Sequence, residues 1–487
     1  MLRRPSLAVA SALLLAGPFV LAFFSGGFFD RSRIVAAIVA WALVAVVAVA
    51  APRPLPAPGP ALLAIAGLGA LLGWSALSLA WAPVGDAGFD DVQRALLYLG
   101  ALVAATALLR ERAALRALEP VVVLGALVLV LYGMGDRLLP RVVFLEHYFS
   151  SGSRLEQPLT YWNAMGLVAA TGLVLAARVA GDRTRSDGVR ALAVAAAPAL
   201  GLGLYLTFSR GAIAALAVGT VVLLAAAPSW SQLRGAALAL EAAAVPALVG
   251  SRLPAIVNFD ASETGRDVQG AAMLAVLGLT MLAAGAVQGW ACRAERAGTV
   301  RMGHLPGARR AAAAAALVVA LTAAAFVGLA ARERGAGPLP TGAATERLAS
   351  TQSNRYQYWR VALDTFADHP LAGTGAGGFR VEWLRRRTIA EQAKDAHSLY
   401  LETAAELGIV GLAALGAFGL GLALAARRAL RAAPAATAGA AAGLATWAFH
   451  AGLDWHWEMP AVTLLALLFA GALAARSDAV SPASRSG

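Results

Sequence analysis

The chain has 487 residues, 59% of them hydrophobic and only 14% charged, and its mean hydropathy is +0.68. Soluble globular proteins carry nearer a quarter charged residues, so a fold with one water-excluded core is ruled out and much apolar surface must face lipid. The formal net charge of +12 sits mainly in short loops between apolar runs. Basicity of that kind sets topology under the positive-inside rule and does not argue for nucleic acid as a partner.

The N-terminal MLRRP and the apolar run behind it have the layout of a secretory signal peptide. Further spans follow at once and no A-x-A site precedes a soluble domain, so this run reads as the first transmembrane helix. Spans are predicted near 6–24, 34–51, 61–81, 94–109, 119–135, 162–179, 191–208, 211–227, 235–251, 269–290, 311–330, 398–425, 435–452 and 460–475. With the N-terminus cytoplasmic, the inside loops hold Arg110, Arg112 and Arg116, then Arg183, Arg185 and Arg190. CRAERAGTVRMGHLPGARR and Arg427, Arg428 and Arg431 follow on the same side. An acidic segment, APVGDAGFDD, falls outside. PRPLPAPGP at 52–60 is a cytoplasmic turn, and the lone Cys292 excludes both a disulfide framework and a cysteine metal site.

The expected division is N-terminal helices over 1–150 and central helices with a Ser-Arg-Gly motif over 151–330. A long extracytoplasmic loop covers 331–397, C-terminal helices 398–475, and a cytoplasmic tail 476–487. The outside loop 136–160 is long enough for a short re-entrant or interfacial piece. It leads into GSRLEQPLTYWNAMG, where Arg154 lies outside and Asn163 enters a span. A buried Asn most often bonds between helices.

Charges at a membrane span are costly, so each is a functional candidate. Arg210 sits between two apolar stretches with almost no loop. It reads either as an arginine reaching to headgroups or as a clamp for phosphate, whose oxygens suit the guanidinium fork. Arg355 heads NRYQYWRVALDTFADHP, in which Tyr356, Trp359, Leu363 and Phe366 recur at helical spacing. That stripe predicts an amphipathic helix lying on the membrane or capping the bundle, ended before Pro370.

The next segment, HPLAGTGAGGFR, contains G-x-G-x-x-G at Gly373, Gly375 and Gly378. A dinucleotide fingerprint needs a strand before it and a helix after it inside a βαβ unit. Here an amphipathic helix leads in and a charged stretch leads out, so the glycines read as a tight turn. Downstream, His397 meets the next span, with Glu402 and Glu406 one helical turn apart. A histidine there reads as a general base or as an interfacial helix cap. His450, Asp454 and His456 offer zinc-type ligands without a recognised spacing.

The runs NRYQYWRVALDTFADHPLAGTGAGGF and DAHSLYLETAAELGIVGL resemble the O-antigen ligase and polymerase (Wzy-type) family of membrane glycosyltransferases. SRGA and RLEQPLTYWNA add to the likeness, and Ser398 stands where the family pattern has Asn. The resemblance implies a GT-C-like bundle of about twelve to fourteen transmembrane helices in the bacterial cytoplasmic membrane, with both termini cytoplasmic. It also implies a metal-independent, cofactor-free inverting enzyme acting on the outer face. Its donor would be an undecaprenyl-pyrophosphate-linked glycan and its acceptor a glycan or lipid-glycan. Carried over, Arg210 and Arg355 would hold the pyrophosphate and His397 would take or orient the acceptor proton. Arg154, Asn163, Trp359 and Glu402 join Arg210 and Arg355 as substrate-binding candidates. A polymerase, a ligase and a protein O-glycosyltransferase share these motifs. A lipid-linked sugar flippase or a membrane scaffold is the alternative from another class.

Overall fold

A computed structural model describes residues 3–301, 303–304, 307, 343 and 353–479. The described chain is all-helical. In order the helices are α1 (Arg3–Ala22), α2 (Asp30–Ala50), α3 (Pro60–Ser78), α4 (Gly85–Leu108), α5 (Arg112–Gly133) and the single turn α6 (Gly135–Leu138). They continue with α7 (Trp162–Gly181), α8 (Asp187–Leu206), α9 (Arg210–Ala226), α10 (Trp230–Gly250), α11 (Pro254–Asn258) and α12 (Glu263–Arg296). After 353 come α13 (Arg355–Asp368), α14 (Phe379–Arg386), α15 (Leu399–Ala432), α16 (Pro434–Ala451) and α17 (Pro460–Asp478).

Eleven of the described helices are long and apolar enough to cross a membrane, and α9 is a shorter apolar helix. With α16, which packs on α7, α9 and α17, they form the bundle of a polytopic membrane protein. The predicted span at 311–330 and the loop residues 331–342 and 344–352 lie outside the described residues.

Composition sorts the helices by depth. The spanning part of α7 is wholly buried, as suits a helix that is apolar all round. By contrast α12 and α2 turn Leu279, Leu282, Val35 and Ile38 outward, where lipid replaces water. Because lipid tails are as apolar as leucine, helices here associate through close packing. Gly67 of α3 faces the backbone at Phe418 of α15, and Gly421 of α15 faces the backbone at Ala64; a β-carbon at either glycine would overlap it.

Two expected boundaries move. The acidic segment read as an outside loop forms the first turns of α4, because Asp86, Asp90 and Asp91 suit a helix N-terminus. Buried Arg33 of α2 pairs there with Asp90 at 2.6 Å and Asp30 at 2.5 Å. The last long helix runs to Ala432, so Arg427 and Arg428 lie on its final turns. In the 136–160 loop, α6 and a short 3-10 turn at Phe149–Ser151 replace any re-entrant segment. Arg137 ties this loop to α11 by donating to the carbonyls of Ile256 (2.6 Å), Val257 (3.0 Å) and Ser153 (2.5 Å).

At the end of the bundle remote from α13, ion pairs join helices. Glu295 of α12, 4% exposed, bonds Arg190 of α8 at 2.9 Å and Arg234 of α10 at 2.6 Å. Removing one partner of a buried pair typically costs about 3–5 kcal/mol. Glu295→Ala is therefore expected to lower the thermal midpoint in detergent far more than alanine at exposed Glu263 does.

His147 supplies a pH-dependent term. Its hydrogen bonds with Asp136 (2.5 Å) and Glu156, opposed by burial and Arg137, raise its pKa from 6.5 to about 9. The charged imidazole thus adds stability that is complete below its ordinary pKa and lost as pH rises through the folded value. Unfolding followed from pH 6 to 10 should show a loss over that window that His147→Gln lacks. Parallel curves would refute it.

Candidate active site at one end of the bundle

Two interlocked loops build the site. The first is the glycine turn, which seats itself in a break of α15. Gly408 has φ +63° inside that helix, a conformation that suits glycine, and the break frees backbone groups that need partners. Ile409 N–H donates to the Pro370 carbonyl at 2.8 Å, and the Trp74 indole N–H donates to the Leu407 carbonyl at 2.9 Å. Gly375 N–H donates to the Glu406 carbonyl at 2.8 Å. The Glu406 carboxylate itself accepts from Gly377 N–H (3.0 Å) and Phe379 N–H (2.9 Å). Gly373, Gly375 and Gly377 all have positive φ. The turn does cradle an acid, and that acid is the protein's own Glu406.

Behind the turn, α13 caps the bundle. Its buried face is Tyr358, Trp359, Val361, Ala362 and Thr365, packed with Phe379, Trp383 and Ala396. The stripe expected through Leu363 is therefore rotated: Leu363 is 45% exposed, because α14 and α15 approach from the Tyr358 side.

The second loop joins α16 to α17. Asp454, fully buried, accepts from Arg355 at 2.6 Å and from the Tyr161 hydroxyl at 2.7 Å. Asn163 donates in turn to the Tyr161 oxygen at 2.8 Å. Burial alone would raise the Asp454 pKa, but the Arg355 guanidinium holds the carboxyl below the ordinary carboxylate range. It is a carboxylate at neutral pH.

His397 stands beside this pair. It is a non-glycine residue with φ +54°, a conformation costing roughly 1–3 kcal/mol unless its surroundings enforce it. They do. Glu402 accepts from Ala396 N–H at 2.7 Å, and the Trp359 indole donates to the His397 carbonyl at 3.5 Å. Tyr358 and Trp455 flank the ring at 5.0 and 6.4 Å. Ser398 caps α15, its side chain accepting from Leu401 N–H. His397 Nδ1 lies 3.1 Å from the Asp395 carbonyl. A carbonyl only accepts, so Nδ1 carries the proton and Nε2 of the neutral ring keeps its lone pair. Burial, partly offset by Asp454, lowers the His397 pKa and favours that neutral form.

Arg210 opens α9, where Ser209 caps the helix by accepting from Ala212 N–H at 3.3 Å. Arg355 acts electrostatically on it. His450 packs so close to the next residue that a β-carbon on Gly211 would lie 3.0 Å from Nε2. The structure thus brings Arg355 and His397 to Asp454 and sets Arg210 within electrostatic reach of Arg355, with Asn163, Trp359 and Glu402 holding their supports. Arg154 lies behind them, 5% exposed, 3.5 Å over the Trp162 ring and bonded to the Ser150 and Ser151 carbonyls.

Sequence reasoning weighed Asp454 only as a zinc-type ligand, passed over Tyr161 as a site residue and left Glu406 without a role. Asp454 met the criterion that singled out Arg210, a charge at the end of a span. Tyr161 lay inside the quoted RLEQPLTYWNA run. One ligand atom each of His450, Asp454 and His456 lie within 4.8 Å of one another. The Arg355 guanidinium on Asp454 opposes a divalent ion there, since it already balances that carboxylate.

No curated protein matches the chain. Residues 268–416 match the family model Wzy_C, described as O-Antigen ligase. Arg210 and Asp454 lie outside this match. The matched segment holds Arg355, the glycine turn, His397, Glu402 and Glu406, and over these residues the chain is similar to the O-antigen ligase (Wzy_C) family.

Proposed function

We propose that this membrane glycosyltransferase of the O-antigen ligase and polymerase type transfers a glycan from undecaprenyl pyrophosphate to an acceptor sugar hydroxyl. Transfer takes place at the extracytoplasmic face, where α13 caps the bundle. The acceptor oxygen attacks the anomeric carbon as the bond from that carbon to the pyrophosphate oxygen breaks, with inversion. The hydroxyl proton passes to His397 Nε2, and undecaprenyl pyrophosphate leaves as the anion.

Arg210 and Arg355 hold that pyrophosphate. The bond to Asp454 engages only part of the Arg355 fork, which has five donors, and orients the rest. The N-terminus of α9 adds its dipole beside Arg210. Fixed cations aimed at the leaving group are typically the larger catalytic contribution. The observation that carries this reading is that Arg355 and His397 meet at buried Asp454 while Arg210, from a third element, acts on Arg355.

Reconstitution with a defined undecaprenyl-pyrophosphate oligosaccharide tests it. His397→Ala is expected to slow transfer by about 10²–10⁴-fold. Arg210→Ala should cost at least as much, and unchanged transfer in both variants would sink the mechanism. Lengthening of the donor glycan in place of transfer to an added acceptor would assign polymerase activity to the same site. Asp454→Ala should lose both transfer and thermal stability, by up to about 3–5 kcal/mol, because half-buried Arg355 is left without its counter-charge. A variant as stable and active as wild type would show that the pair is dispensable.

A further inference from the structure

Beside the His397 loop lies a second group of acids that the transfer chemistry does not use. Asp395 precedes His397, Glu402 sits on the first turn of α15, and Glu458 lies in the α16–α17 loop. One carboxylate oxygen from each lies within 4.8 Å of the other two. Glu458 is 5% exposed and makes no hydrogen bond or ion pair with any other described residue. With Glu402, Asp91, Ser75 and Thr403 it lines a cavity of about 40 Å³.

The charges nearby do not balance. Arg94 is paired with Asp91, and Arg380 acts on Asp395 from the side. Even counting both, and setting aside Glu406, which lines the same cavity but bonds backbone amides through both oxygens, four carboxylates (Asp91, Asp395, Glu402 and Glu458) face two guanidinium groups. Two uncompensated negative charges in a buried site are costly, and either protons or a cation must match them.

The donors favour a hard divalent cation, since all three are carboxylate oxygens. Calcium binds six to eight oxygens at about 2.3–2.6 Å in a flexible geometry, which side chains from separate elements can meet. Magnesium, at about 2.0–2.1 Å, demands a near-ideal octahedron, which acids fixed on three separate elements meet less readily. Ser75 and Thr403 line the cavity beside Glu402 and Glu458 and offer hydroxyl oxygens toward the six to eight ligands that calcium takes.

We propose that Asp395, Glu402 and Glu458 bind a calcium-class divalent cation, which fastens the His397 loop to α15 and to the loop bearing Asp454. The ion is structural. It takes no part in the transfer step, and the site stands whether or not the donor is a polyprenyl pyrophosphate.

Terbium luminescence tests the site on the purified full chain in detergent, because Trp457 lines the same cavity and sensitises a bound lanthanide. Saturable emission displaced by calcium but not by equimolar magnesium is expected. Calcium should also raise the melting temperature, and EDTA should lower it. Glu458→Gln and Asp395→Asn should each weaken terbium binding at least tenfold, while Glu263→Gln leaves it unchanged. Absence of calcium-displaceable emission from the wild type overturns the proposal, as does emission retained by both variants. Where a variant fails to fold, the wild-type melting shift decides: stabilisation by acid alone, with none from calcium, assigns the site to protons and overturns the cation.

Discussion

The Glu406 carboxylate bonded to the amides of Gly377 and Phe379 is the contact on which the rest of the site depends. A carboxylate within a membrane helix is tolerated only when fully hydrogen-bonded, and the glycine turn provides that. The same turn fills the break at Gly408. Helix, turn and α13 therefore stand or fall together, and α13 carries Arg355 while the start of α15 follows His397. Neither side chain can be placed without the glutamate between them.

Around that lock, polar residues are divided between holding and acting. Glu402, Trp359 and Asn163 spend their bonds on backbone and on Tyr161. Asp454 spends its charge on Arg355. Nε2 of His397 is left with a lone pair, and the arginine fork with donors to spare. A constellation built this way needs little rearrangement when an anion arrives, which is the condition for electrostatic catalysis.

Much of this was legible in the sequence. Hydropathy located the spans, since an apolar run of about twenty residues has few other uses. The scarcity of charge made Arg210 and His397 conspicuous. What escaped were relations that no periodicity encodes. Glu406 and Gly377 lie far apart in sequence and meet only because α15 breaks at Gly408. Asp454 comes from the α16–α17 loop and Arg355 from the start of α13. The α13 stripe was misaligned by a turn's fraction because Leu363 is apolar yet faces outward, and in a membrane protein an apolar residue has two favourable destinations.

Ser398 occupies a position where the family pattern has Asn, and the cap on α15 gives the swap its meaning. The chain there needs an oxygen that accepts an amide hydrogen three residues on, and Ser398 provides it to Leu401. Serine and asparagine are nearly equal in that task. The exchange is between synonyms, and the position is a conformational requirement on the strained histidine before it. A homologue with Asp or Thr at this position would keep the same grammar, whereas one with Val would be expected to let His397 relax.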